Sequence, residues 1–316
     1  MKDKVVALID MGSNSIRLAI YQIDNVGNYK EIKKEKVAAR LINHIDEQGK
    51  LSKEGIQLIL KTLKEFKEVI NSFEIFKVIG FATAVIRQAS NQKEILSEIK
   101  RQTDYSFIVL SEYEEAYYGY LGVIDSIDIV DGVTIDIGGG STEITLFQNR
   151  KLVEYHSFPF GAVSLNTKFT LGEQATHAQL AELRTFILSQ FQSLPWLGNV
   201  KYPIIGIGGT ARNLGKIYQK QNNTNQIHLQ FDDVNNILLN LSSLPVNERA
   251  KIKGLSKKRK DIIIPGITTI LTLMEVVQTR YFMFSEKSIR DGILKEKIIE
   301  AESPKQNSID CNTKLG

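Results

Sequence analysis

Apolar runs and polar punctuation divide the chain into two halves of the same plan. Val5 to Ile9 is a short apolar run closed by Asp10. A Gly-x-x-Ser turn follows and apolar residues resume through Leu18 to Tyr21, which predicts strand, tight turn and strand. Lys33 to Leu41 reads as a third strand. Ser52, with Glu54 behind it, opens a run whose apolar positions Ile56, Ile59, Leu60, Leu63, Phe66 and Ile70 share one helical face. A buried strand, Phe76 to Ala84, ends in small residues. A helix of about Gln92 to Arg101 and a strand, Ser106 to Leu110, lead into the acidic stretch that starts at Ser111.

The second half repeats this order. Val133 to Phe147 (VTIDIGGGSTEITLF) is again strand, turn and strand, Leu152 to Phe158 is a third strand, and Thr176 opens a helical run through Leu180, Leu183, Ile187, Phe191 and Leu194. Asp10 aligns with Asp136, Gly12 with Gly138, Ser15 with Ser141 and Leu18 with Ile144, all 126 residues apart. The buried strands with small-residue turns, Phe76 to Ala84 and Tyr202 to Ala211, place Thr83 and Thr210 at an offset of 127. Two motifs that keep one offset over such a span predict two copies of a βββαβα unit. The pairs Ser111-Glu112 and Ser285-Glu286 stand 174 apart, so the second half holds an insertion of roughly 48 residues, expected to be helical over Asp232 to Leu241 and Pro265 to Val277. Arg280 to Phe284 reads as the last strand and Ser285 to Lys297 as the last helix. The expected division is 1–125, 126–302 with the helical insertion, and a polar tail over 303–316, the last helix packing back on the first domain.

The glycines Gly138, Gly139 and Gly140 let the backbone approach a ligand without a Cβ in the way. Their N–H groups, with the hydroxyls of Ser141 and Thr142, make a concave donor surface for phosphate oxygens. Asp136 and Glu143 frame it. A phosphate beside carboxylates calls for a hard divalent cation between them, and Mg²⁺ is the usual one. Taken alone, the run also fits a structural hairpin turn; its second copy at Asp10 to Ser15 favours the phosphate reading.

Composition narrows the class. The chain has 316 residues, 42% hydrophobic and 24% charged, enough for two domains. A net charge of +4 is too small to argue for nucleic acid or a membrane, and it suits a polyanionic substrate. One cysteine, Cys311, excludes disulfides within the chain, and the four scattered histidines show no metal-ligand spacing. No apolar run nears the roughly 18 residues a spanning helix needs. With no leader before Val5, a cytoplasmic location is expected.

Duplicated phosphate hairpins across a cleft resemble the actin, Hsp70 and sugar-kinase fold, an α/β architecture of two ribonuclease-H-like domains. Within it, DMGSNS (Asp10 to Ser15), ATAVIRQA (Ala82 to Ala89), SEYEEA (Ser111 to Ala116), DIGGGSTE (Asp136 to Glu143), GGTA (Gly208 to Ala211), Pro265-Gly266 and SIRDGIL (Ser288 to Leu294) resemble the exopolyphosphatase and guanosine pentaphosphate phosphatase family. The matches fall in family order over nearly everything from Val5 to Ile299. Two features depart from it: Glu112 replaces a common glycine, and longer members carry C-terminal helical domains without a counterpart here.

The resemblance implies Mg²⁺-dependent hydrolysis of a terminal phosphoanhydride bond, with inorganic polyphosphate as substrate, processive or distributive. The alternative is removal of the 5′ γ-phosphate of guanosine pentaphosphate. It makes Glu115, the second glutamate of Glu-Glu-Ala, the general base, although Glu112, Glu114 and Glu115 could equally be a solvated acidic helix start. Phosphate contacts are expected from Ser13, Asn14, Ser15, Gly138, Gly139, Gly140, Ser141, Thr142, Gly208, Gly209 and Thr210, and from Arg87 as a bidentate fork. Mg²⁺ is expected at Asp136 and Glu143, with Asp10 supporting it through water. In the basic run Lys251 to Lys260, either a solvated loop or a guide for polyanions, Arg259 precedes the Pro-Gly pair and is the expected substrate contact. An ATP-dependent kinase and a non-catalytic sensor of polyphosphate or guanosine tetraphosphate are the rivals from other classes. The features leave oligomeric state open, a homodimer included.

Overall fold

β-Branched and leucine-rich runs pair as the alternation predicts. The computed structural model describes residues 3–171, 173–198 and 200–300; the expected tail and Cys311 lie outside them. In the first half, β1 (Lys4–Met11), β2 (Ile16–Ile23) and β3 (Tyr29–Val37) form an antiparallel meander. Then come α1 (Lys53–Asn71), β4 (Lys77–Ala82), α2 (Ala84–Arg87), α3 (Gln92–Thr103), β5 (Phe107–Val109) and α4 (Glu112–Ile124). The second half opens with the meander β6 (Gly132–Ile137), β7 (Thr142–Gln148) and β8 (Lys151–Phe158). It continues through α5 (Ala162–Lys168), α6 (His177–Gln192), β9 (Ile204–Ile207) and α7 (Gly208–Asn222). The remaining elements are β10 (His228–Gln230), α8 (Phe231–Ser243), α9 (Val246–Arg249), α10 (Ile263–Val277), β11 (Tyr281–Phe284) and α11 (Ile289–Leu294).

The sheets run β3-β2-β1-β4-β5 and β8-β7-β6-β9-β11-β10. In each, a three-stranded antiparallel meander continues into two parallel strands, so the duplication seen as a sequence offset is a duplication of topology. These are two ribonuclease-H-like halves of an α/β fold with a central cleft. Three readings shift. The third strand ends at Val37 rather than Leu41, because Arg40 takes the left-handed region (φ 45°) and turns the chain toward the second half. Gly208 to Thr210 form the first turn of α7 rather than a loop. The insertion contains a strand, β10, which pairs antiparallel with β11 at the sheet edge.

Each half buries its own apolar core. Ile56, Ile59, Leu63, Phe66 and Ile70 of α1 pack on β1 and β2, and Ser52 caps the helix by accepting from the Gly55 N–H at 3.1 Å. Helix α10, buried along nearly its whole length, packs among α5 to α8 as the centre of the second core. Helices α4 and α11 pack tightly on each other and lie between the sheets. Tyr118, Ile289 and Ile293 join the core under β1, β2 and β4, while Tyr120, Val123 and Ile124 meet Phe147 and Ile205 of the other sheet. Among the described residues no helix is long and apolar enough to cross a membrane.

Candidate active site

The two hairpin turns close on the same hydrogen bond: the Gly12 N–H donates to the Ser15 carbonyl at 3.1 Å, and the Gly138 N–H donates to that of Ser141 at 2.9 Å. Their tips meet across the cleft. A Cβ on Gly139 would stand 3.0 Å from the Asn14 Cβ and backbone nitrogen, so glycine is what allows the two turns to touch. Between them and the first turn of α4 lies a cavity of about 80 Å³. Its wall brings together Asp10, Ser13, Asn14, Ser15, Glu115, Asp136, Gly138, Gly139, Ser141, Glu143, Gly208, Gly209 and Arg259, and adds Arg17 and Thr83. The Asn14 Oδ1 is buried without a partner.

Four expected phosphate contacts stand behind this wall. Thr142 is fully buried and its hydroxyl donates to the Phe160 carbonyl at 2.7 Å. Gly140 packs against Ile42 and Ser13. The Thr210 hydroxyl accepts from Arg259 Nη1 at 3.3 Å. Arg87, expected to clamp phosphate, donates instead to Glu115 Oε2 at 2.7 Å and to the Leu110 carbonyl at 2.9 Å. Its Nε and Nη2 are buried without partners. A guanidinium reaches from the end of α2 toward a carboxylate 28 residues on because β4 and β5 are parallel neighbours, which brings α2 and the start of α4 to the same sheet end.

The carboxylates share a strained electrostatic setting. Burial pushes Glu115 up to about 7, Arg87 opposes the rise, and Asp136 and Asp10 add to it. Burial also raises Asp136, with Arg212 opposing, and raises Glu143 well above the usual range, with Glu115 and Asp136 reinforcing it. Glu143 accepts from the Ser157 hydroxyl at 2.9 Å. Among the described residues no three His, Cys, Asp or Glu side chains could hold a metal ion by themselves. Carboxylates that repel one another in one cavity, together with phosphate oxygens and water, still fit the coordination that Mg²⁺ takes, one or two protein carboxylates and the rest from substrate and solvent.

Cations line the other side. Arg17 Nε donates to the Ser15 hydroxyl at 3.1 Å, and its Nη1 lies 3.7 Å from Asp10. Burial, with Arg17 and Arg212 alongside, pushes Arg259 down to about 9. From Arg17, Gly209 and Arg259 a second, open trough of about 440 Å³ leads away, with Lys36, Arg212 and Lys216 on its walls. Arg17 and Arg212 escape a reading by motif alone. Period-two alternation from Ser15 puts Arg17 on the cavity face of β2, and the helical period from Gly209 puts Arg212 and Lys216 on one stripe of α7. That stripe is invisible while Gly208 to Thr210 is taken for a turn. A Cβ on Gly209 would overlap the Arg259 guanidinium. Gly209→Ala is therefore expected to displace Arg259 and to raise KM for a phosphorylated substrate about tenfold or more, the worth of one charge-assisted contact. Steady-state kinetics check this, and an unchanged KM would show Arg259 idle.

A sequence model of the Ppx/GppA phosphatase family matches residues 19–300. The bifunctional 3-dehydroquinate synthase/phosphatase of Fusobacterium nucleatum is 28% identical over 307 residues, covering 92% of this chain and 46% of that protein, so the chain spans about half the length of that relative. Exopolyphosphatase 1 of Mycobacterium leprae is 22% identical, with 93% of this chain and 89% of that protein covered. The crystal structure of the Aquifex aeolicus member of the Ppx/GppA protein family superimposes with a TM-score of 0.79 at 28% identity, over 96% of this chain and 100% of that one.

Proposed function

Because this chain belongs to the Ppx/GppA phosphatase family, we propose that it hydrolyses the terminal phosphoanhydride bond of inorganic polyphosphate and releases orthophosphate. The observation that carries the reading is one small cavity holding both phosphate hairpins and a carboxylate, Glu115, poised near 7. Backbone N–H groups and hydroxyls of Ser13 to Ser15, Gly139 and Ser141 bind the oxygens of the terminal phosphoryl group, with Arg259 and Arg17 beside them. Glu115 takes the proton of the attacking water, and Arg87 orients its carboxylate from behind. Asp136 and Glu143, with Asp10 through water, would hold Mg²⁺, which when bound neutralises phosphate charge. The trough supplies the path for the rest of the chain: among the described residues Lys36, Arg212 and Lys216 form no ion pair, while the acids Glu31 and Asp291 on the same wall are held by Lys34, Arg290 and Lys287, which suits a polyanion.

The basic run divides: Arg259 turns inward and is 5% exposed, while Lys251, Lys253, Lys257 and Lys258 face solvent. A second reading, removal of the 5′ γ-phosphate of guanosine pentaphosphate, uses the same cavity. The open trough beyond the cavity favours it, because its volume of about 440 Å³ leaves room for a nucleoside behind the phosphates. The deciding experiment measures phosphate release with Mg²⁺ from polyphosphates of defined length, guanosine pentaphosphate and ATP side by side. Long polyphosphate is expected to give the highest kcat/KM. Preference for guanosine pentaphosphate would install the second reading, and turnover of ATP alone would overturn both.

A further inference from the structure

Arg40 lies outside the cavity, yet three observations meet at it. Its φ of 45° is the left-handed conformation that few residues other than glycine adopt. Its backbone N–H donates to the Asn14 carbonyl at 3.1 Å, and the Ile42 N–H donates to that of Ser13 at 3.2 Å, so this segment props the first phosphate turn from behind. Its guanidinium then crosses the cleft to Asp261, with Nη1 2.7 Å from Oδ2 and Nη2 donating to Oδ1 at 3.1 Å. Asp261 follows two residues after Arg259 at the head of α10, and Ile42 packs on Gly140 of the second phosphate turn. One short segment thus touches both hairpins and the loop that delivers Arg259.

We propose that Arg40 is a positioning residue whose bidentate pair with Asp261 latches the two halves closed and sets Arg259 against the phosphate site. An exposed ion pair of ordinary kind contributes little. This one is two-pronged and half-buried, joins the two halves, and is held by a backbone conformation that an arginine adopts at a cost. With the pair intact, closing the cleft and presenting Arg259 are one movement. With it broken, Arg259 is free to drift with its loop and the halves to separate. The inference rests on the phosphoanhydride reading only in taking Arg259 as a substrate contact.

The test uses Arg40→Asn, which removes the guanidinium while tolerating the left-handed backbone, and Asp261→Asn as an independent break from the other side. Each is expected to raise KM for polyphosphate about tenfold with kcat changed far less. The two together should cost no more than one, and the swapped pair Arg40→Asp with Asp261→Arg should recover most of the loss. Arg259→Lys should cost less in the Arg40→Asn background than alone. Closure is read without turnover from the spin-label distance between Glu68→Cys on α1 and Asn236→Cys on α8, with Cys311→Ser; Arg40→Asn should lengthen or broaden it. Independent, additive losses, or an unchanged KM and distance with only a lower Tm, would overturn the latch. A wild-type protein inactive on every phosphoanhydride would sink the functional reading instead, and the distance measurement would still judge the latch.

Discussion

Replacing Glu115 with glutamine is expected to slow turnover by about 10²- to 10⁴-fold, the range for losing a general base, while the substrate still binds. The cap of α4 explains why this glutamate and not its neighbours. Ser111 accepts from the Glu114 N–H at 3.2 Å, and Glu114 Oε2 accepts from the Ser111 N–H at 2.8 Å, so Glu114 is consumed in closing the first turn. Glu112 faces solvent, and Glu115, the position after Glu114, is the one of the three that lines the cavity. The side chain of Glu115 is 12% exposed and pairs with Arg87, itself only 15% exposed, which is unlike a solvated helix start. A base must be ionised to act. Since burial lifts Glu115 to about 7, kcat/KM should fall as pH drops through that region and recover above it. Arg87 lowers the value, so Arg87→Met should move the acidic limb to higher pH. Glutamine keeps the shape and loses the charge; binding of unhydrolysed polyphosphate and thermal melting separate lost chemistry from lost folding. Wild-type turnover in Glu115→Gln, or an acidic limb near pH 4, would remove Glu115 from the mechanism.

The fold was legible because the duplication is written twice, once as apolar period and once as an offset of 126 residues, and hairpins impose their register locally. Helix starts were legible wherever a cap marks them, as at Ser52 and Thr176. What the chain order hides is which polar atoms are already spent. Thr142 and Ser141 look alike in sequence, yet β-strand alternation points one into the core, where Phe160 takes its hydroxyl, and the other into the cleft. Arg87 and Glu115 belong to different motifs, and only the parallel pairing of β4 with β5 turns them into an ion pair. The start of α7 at Gly208 was hidden for a local reason: two glycines and a threonine are poor helix formers, and it is tertiary packing, with Arg259 over Gly209, that carries the helix back to them.

Glu143→Gln is expected to abolish Mg²⁺-dependent phosphate release and, at the same time, to make the folded protein more stable at pH 8. Both follow from one fact. Burial, reinforced by Glu115 and Asp136, holds Glu143 well above its ordinary value in the folded protein. A carboxylate so raised contributes stability below its unfolded value of about 4.5 and loses it as pH climbs through the folded value. At pH 8 the wild-type cavity therefore carries a charge it would rather shed, and glutamine cannot acquire that charge. The Tm of Glu143→Gln should exceed that of the wild type by a few degrees at pH 8, and the difference should vanish near pH 5. Asp136→Asn, raised by burial and by Asp10, should follow the same course. Mg²⁺ provides the discriminating arm, because a cation that binds only the folded state raises Tm by mass action. Added Mg²⁺ should stabilise the wild type at pH 8 and leave both variants unmoved, which ties the penalty to metal holding rather than to packing. Equal Tm values at pH 8, or a full Mg²⁺ response in both variants, would mean that these carboxylates are raised for some reason other than to hold a cation.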